Sequence, residues 1–178
     1  MARGTSDIHL CPVELVRPVV ACLPRAAAAL DALVAADPDR RTAHYERVTA
    51  VAVEVESARV AAMADLSRVR PTRRARAVRL CQSVSLLVGI MVATARVAAE
   101  GINTAVSADT AARSGEVLRL CDESMLLVLP TQRVRRSSEE TAWEQGRLHQ
   151  LDSLVAEISA VLDGLMVDLV RMAAAEVR

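Results

Sequence analysis

The sequence predicts an all-α fold: an antiparallel up-down helical bundle of four long helices, preceded by a proline-broken N-terminal helical segment. Three observations carry that prediction. The C-terminal stretch holds an apolar seam spaced alternately three and four residues apart, at Leu148, Leu151, Val155, Ile158, Leu162, Leu165, Leu169 and Met172. A mean spacing of about 3.5 residues places all of them on one helical stripe. Left in water, such a stripe forfeits ~1.5–3 kcal/mol for each large side chain, so it demands a covering surface. Second, Gly and Pro occur only six times each, although the dominance of Ala, Val, Leu and Arg points to a high-GC organism whose codons favour both. They are the residues a helix tolerates least. Third, turn signals divide the chain into a few long stretches with helical periodicity.

Taken in order, residues 1–5 read as a disordered tail, and Ser6 or Asp7 as a cap for the first helical stretch. Pro12, Pro18 and Pro24 break that stretch into a short helix ending near Cys22 and a second running from Pro24 to Ala36. The segment is expected to lie against the bundle or to cap one end. Asp37-Pro38-Asp39 reads as a turn. A long helix from about Arg40 to Val69 follows, with its stripe at Val48, Val51, Ala52, Val55, Ala58, Ala62, Leu66 and Val69. Pro71 stops that helix and Thr72 caps the next, which presents Leu80, Val84, Leu87, Met91 and Ala98 on one side and stops at Gly101. Ser107 or Asp109 starts a fourth helix through Val117, Leu118, Cys121, Met125 and Val128, closed by Pro130. Thr131–Arg136 is a polar loop. Ser137 or Ser138 caps the last helix, with Glu139 and Glu140 well placed in its first turn. Short connections between consecutive long helices favour antiparallel neighbours.

Residues 1–178 are read as a single helical-bundle domain, a length at which roughly 70% of the extended-chain surface becomes buried. Phe is absent and every basic residue is Arg. A core of Ala, Val and Leu lets helices approach closely but buries less area per residue than aromatics would. The absence of Lys follows from codon bias, or from selection against lysine modification. Net charge is zero, so no global field draws the chain to nucleic acid or membrane. Met1–Thr5 is polar and Glu14, Arg17 and Arg25 interrupt the apolar residues that follow, unlike a signal peptide. A cytoplasmic location is expected, with reduced cysteines. Cys11 and Cys22 on one helix would lie roughly 16 Å apart, too far to bridge. The uncharged run Leu80–Ala95 holds Gln82, Ser83, Ser85 and Thr94 and is shorter than the ~20 apolar residues of a spanning helix, so no transmembrane segment is expected.

The strongest polar constellation is Arg68, Arg70, Arg73, Arg74, Arg76 and Arg79, around the turn at Pro71 between the long helix ending near Val69 and the next. An up-down topology brings the loop with Arg133, Arg135 and Arg136 to the same end. Cations at a helix N-terminus oppose the macrodipole by ~0.3–1 kcal/mol each. The cluster is therefore either an internally paired end, with Glu139, Glu140, Glu144, Asp122 and Glu123 nearby, or a site for a phosphate-bearing or acidic partner. Nucleic acid is the less favoured partner, since no aromatic residue interleaves the arginines. Cys81, Cys121 and His149 fall at similar depth from that end and suggest a Cys/Cys/His metal site, against packing cysteines as the plainer reading. His149 follows seam residue Leu148 and points away from the seam. His9, Cys11 and Cys22 have no fixed geometry, and His44 beside Tyr45 reads as exposed or capping. Ser114–Gly115 reads as a packing notch.

No Glu-x-x-His pair, P-loop, G-x-G-x-x-G or G-x-S-x-G occurs, so no catalytic residue, cofactor or metal is assigned and enzyme activity has no positive support. Behind the seam lie Ser153, Ala160, Val167 and Ala174, with Val161 and Val170 widening the apolar arc, where charged residues belong on a solvated face. Either the last helix is covered on two sides, or this strip is an oligomer contact. The function expected is a non-catalytic interaction or scaffold module that self-associates, as a homodimer, through the C-terminal helix or binds another helical protein. Polyanion binding at the arginine-rich end is the alternative, and a small-ligand carrier or enzyme with a pocket between helices the second.

Overall fold

A computed structural model of the chain describes residues 11–129 and 137–177, the side chains of 137–140 excepted. The described residues form helices and no strand: α1 (Pro12–Val20), α2 (Cys22–Ala35), α3 (Pro38–Leu66), α4 (Pro71–Gly101), α5 (Ala108–Val128) and α6 (Ser137–Glu176). They pack as a helical bundle in which α1 and α2 make one bent rod. The bend at Ala21 has a chemical cause. Pro24 has no N–H for the carbonyl of Val20, and its ring crowds that carbonyl. The expectations for residues 1–5, the Ser6 or Asp7 cap, His9 and the 131–136 loop lie outside the described residues.

Helix starts show what proline does at a first turn. Pro38 and Pro71 each occupy the first turn of the helix they were expected to precede. A residue with φ fixed near the helical value and no N–H fits that position, because the first N–H groups have no intrahelical acceptor. Arg70, not Thr72, is therefore the N-cap of α4, and its carbonyl accepts from the N–H groups of Arg73 and Arg74 at 3.0 and 3.1 Å. Ser107 caps α5 through its side chain, which accepts from the Thr110 N–H. Gly101 is not a left-handed stop, since no described glycine has positive φ. It is small because α4 meets α6 there: a Cβ added at Gly101 would stand 3.0 Å from the Cβ of Ala173.

Successive rods alternate in direction, as the sequence predicts. In cross-section α3 lies between α2 and α4, α6 between α4 and α5, and α5 returns to α2. Consecutive helices α4 and α5 do not touch, so α4 and α6 become parallel neighbours. Rather than lying against the bundle or capping it, the bent rod fills the gap between α3 and α5, and α1 reaches α4 and α6 as well. Its sequence requires this. Val13, Val16, Val19, Val20, Leu23, Ala26, Ala27, Leu30, Leu33 and Val34 cover too wide an arc for one contact, and all are buried.

The seam of α6 from Leu148 to Leu169 is buried throughout and joins one core with the stripes of α3, α4 and α5. On α5 the inward face also holds Leu120, and the small polar Ser114 and Ser124. Ser114 donates to Asp31 on α2 at 2.6 Å, so the notch is real at Ser114. Gly115 faces open space instead. At the end holding the α4–α5 crossover, the fully buried Arg41 gathers three carbonyls: Ile102 at 2.6 Å, Thr104 at 2.9 Å and Ala36 at 3.2 Å. Glu176 accepts from the N–H groups of Asn103 and Thr104 and from the Thr104 hydroxyl. Together they tie a loop that must cross the bundle end to both the start of α3 and the end of α6.

Two stretches, Pro12–Ala35 and Pro71–Gly101, are long and apolar enough to cross a membrane by length and composition alone. The whole of α4 passes this test although its uncharged run is short. About half of each apolar window, 50% and 44%, is buried inside the bundle.

Candidate interaction surface

The outer side of α6 resolves one of the alternatives posed by the sequence. Ser153, Ala160, Val167, Val170 and Ala174 are all exposed, with Val167 and Val170 at 47% and 48%. The helix is thus covered on one side only within a single chain. Beside it runs the outer face of α4, where Leu86 is 68% exposed and Gly89 and Ala93 are exposed too. Because α4 and α6 are parallel neighbours, the two faces lie side by side, with Asp152, Ala156, Ser159, Asp163 and Met166 of α6 between them. This adjacency is invisible in the sequence, which places the helices seventy residues apart.

Shallow grooves run along α4. One of about 730 Å³ has Gly89, Ile90 and Ala93 as its floor, with Glu56 and Arg59 of α3 on one bank and Asp163 and Met166 of α6 on the other. A second of about 370 Å³ lies between Arg79, Ser83 and Ile90 of α4 and Asp152, Ala156 and Ser159 of α6. The Glu56 carboxylate pairs with Arg59 and accepts from the Ser85 hydroxyl at 3.0 Å. Those hydrogen bonds hold its pKa down at about 2, chiefly through Arg59. Both grooves are open troughs on the surface, and the larger one carries the Ser85–Glu56 hydrogen bond on one side and Asp163 on the other.

The arginine-rich end is largely engaged with the protein itself. Arg73 pairs at 2.6 Å with Glu144, which is fully buried. Arg74 donates to the Ser67 carbonyl at 2.8 Å, Arg76 stands 3.9 Å from Asp152, and Arg68 stands 3.6 Å from Asp65. Arg79 acts on the Asp152 carboxyl as well, although burial leaves that carboxyl above its ordinary pKa. Arg70 makes no side-chain hydrogen bond or ion pair among the described residues. Arg133, Arg135 and Arg136 lie outside the described residues. An exposed salt bridge is worth ~0–1 kcal/mol, but a buried carboxylate such as Glu144 depends on its partner far more strongly.

Arg41 and Glu144 are the charged residues that reading apolar stripes passes over, yet the stripes point to both. Glu144 lies four residues before Leu148, and Arg41 seven before Val48, so each continues a buried seam by one step. A charge at such a position signals a buried partner.

Cys81, Cys121 and His149 do not assemble. The helices of the two cysteines are not in contact, and His149 is exposed. Among the described residues no three His, Cys, Asp or Glu side chains group to hold a metal ion. All four cysteines are free. Burial pushes the Cys81 thiol up to about 11 and that of Cys121 to about 12, which disfavours the nucleophilic thiolate. His44 is half-buried rather than exposed, with Nδ1 enclosed and unpartnered among the described residues. No protein-family model, curated protein or solved structure matches the chain.

Proposed function

We propose that the protein is a non-catalytic interaction module that self-associates through the outer side of α6. One observation carries the reading: Ser153, Ala160, Val167, Val170 and Ala174 all face solvent in the single chain. A helix that needed only its own bundle would carry charge there. Instead the strip is small and aliphatic, which lets a second helix come close and rewards the burial of Val167 and Val170 at roughly 25 cal/mol per Å². The reading is tested by sedimentation velocity on the full chain at tens of micromolar. The wild type is expected to sediment as a dimer, and Ala160→Glu or Val167→Glu as a monomer with unchanged helical circular dichroism. A monomeric wild type removes the proposal.

Polyanion binding through the arginine-rich end has less support, because Arg73, Arg74 and Arg76 are committed to Glu144, Ser67 and Asp152.

A further inference from the structure

We propose that α4 supplies the other half of the contact: two copies of this chain pack α4 of one against α6 of the other, about a two-fold axis parallel to both helices, with Gly89 against the partner's Ala160. The proposal rests on self-association through α6 and names the partner and the register.

The register follows from how α4 and α6 run together. Arg73 pairs with Glu144 at one end and Gly101 packs on Ala173 at the other. The offset between the helices is thus 71 residues at the first contact and 72 at the second. Gly89 therefore stands level with Ala160, and both are exposed. A two-fold axis that runs parallel to the two helices and midway between them keeps the helix direction in the second copy and sets Gly89 against the partner's Ala160. The smallest side chains of the face then meet where the helices come closest. Leu86, one turn away, would project beside that contact and close over it.

Gly89 has no role inside the chain that explains it. A Cβ added there meets nothing within 4 Å, as at Gly115 and Gly146 and in contrast to Gly101 against Ala173; of the three open glycines, Gly89 is the one on the α4 face beside α6. A glycine in the middle of a long helix weakens that helix. Close approach by another backbone is a reason for having one, and the groove at Gly89 is lined by residues of α3 and α6 as well as α4.

The area suits a stable dimer. From Ser153 to Ala174 the helix rises about 32 Å, and two helices packed side by side span about 20 Å, giving roughly 600 Å² per copy before surface corrugation. Standard interfaces bury roughly 600–1,000 Å² per partner. Because the same α4–α6 face is presented by both copies, a two-fold arrangement uses it completely and closes without leaving a second surface open.

Two experiments on the full chain test this. In sedimentation velocity, Leu86→Glu is expected to halve the mass of the wild-type dimer to 19.1 kDa, as Ala160→Glu does, with unchanged circular dichroism. In a Cys11→Ser background, Gly89→Cys mixed with Ala160→Cys is expected to give a disulfide-linked dimer under mild oxidation, and Ala160→Cys alone is not. If Ala160→Glu dissociates the dimer but Leu86→Glu does not, the α4 contact is overturned while self-association through α6 stands. Crosslinking of Ala160→Cys to itself, without crosslinking in the mixture, overturns the register in favour of an α6–α6 contact. A monomeric wild type, whether or not it binds a different protein, overturns both.

Discussion

Arg73→Ala separates a structural arginine from a ligand-binding one. The Glu144 carboxylate is fully buried, and Arg73 reaches it at 2.6 Å with 22% of its own side chain exposed. Deleting one member of a buried pair costs about 3–5 kcal/mol, because the other charge stays in low dielectric without compensation. Partial exposure of Arg73 lets water take up some of that loss, which brings the expected cost to about 2–4 kcal/mol. A chain of this length loses about 2–4 °C in Tm per kcal/mol, so the melting midpoint falls by roughly 4–16 °C. The assay is thermal unfolding followed by circular dichroism at 222 nm, with Arg70→Ala beside it. Arg70 has no recorded partner among the described residues, so its removal is expected to change stability by less than about 0.5 kcal/mol. Replacing both members, Arg73→Ala with Glu144→Gln, should recover part of the loss, since no buried charge is then left alone. Equal, small effects of Arg73→Ala and Arg70→Ala on stability, together with loss of salt-dependent heparin binding in the former, would refute the structural assignment and revive a polyanion site.

Arg41→Ala leaves the carbonyls of Ile102, Thr104 and Ala36 without their shared donor, and is expected to destabilise by about 3–5 kcal/mol in urea unfolding. Arg41→Lys should fall between, because an ammonium lacks the planar fork that reaches all three. Gly89→Ala is expected to raise the Tm of the dilute, monomeric chain by about 1–4 °C, the helix-propensity gain of ~0.5–1 kcal/mol with no clash to offset it; a lower Tm at nanomolar concentration would show that the site is not open. The buried thiols make the protein sensitive to alkali. Their folded pKa values, about 11 for Cys81 and about 12 for Cys121, lie above the ordinary value of 9.0. Their contribution is fully present below pH 9.0 and is lost as pH rises through the folded values. Unfolding midpoints should therefore decline above about pH 9, and Cys81→Ala with Cys121→Ala should flatten that decline.

What the sequence made legible was whatever local periodicity controls. The seam from Leu148 to Leu169 is buried as its spacing requires, and the stripes of α3 and α4 follow their patterns. Helix boundaries shifted by a few residues: Pro38 and Pro71 opened helices they were expected to precede, α2 began at Cys22 rather than Pro24, and α3 ended at Leu66 rather than Val69. Long-range placement was less legible. Three prolines in the first twenty-four residues read as a frayed accessory segment, because proline propensity is a local quantity. The wide apolar arc of that segment is satisfied only between α3 and α5, a fact of the assembled bundle. The arginine cluster was legible as a cluster but not as a set of partners, since the register between α4 and α6 decides which acids face it.

That register also explains why the candidate surface has two halves with different visibility. The strip on α6 stands out in the sequence because five positions in one helix depart from the polar pattern of a solvated face. The face of α4 does not, since Leu86, Gly89, Ile90 and Ala93 lie in a helix whose apolar residues line the core all around them. Only when the bent N-terminal rod occupies the space between α3 and α5 are α4 and α6 left side by side. The insertion of that rod thus does two things at once. It completes the core, and it leaves the outward faces of α4 and α6 side by side.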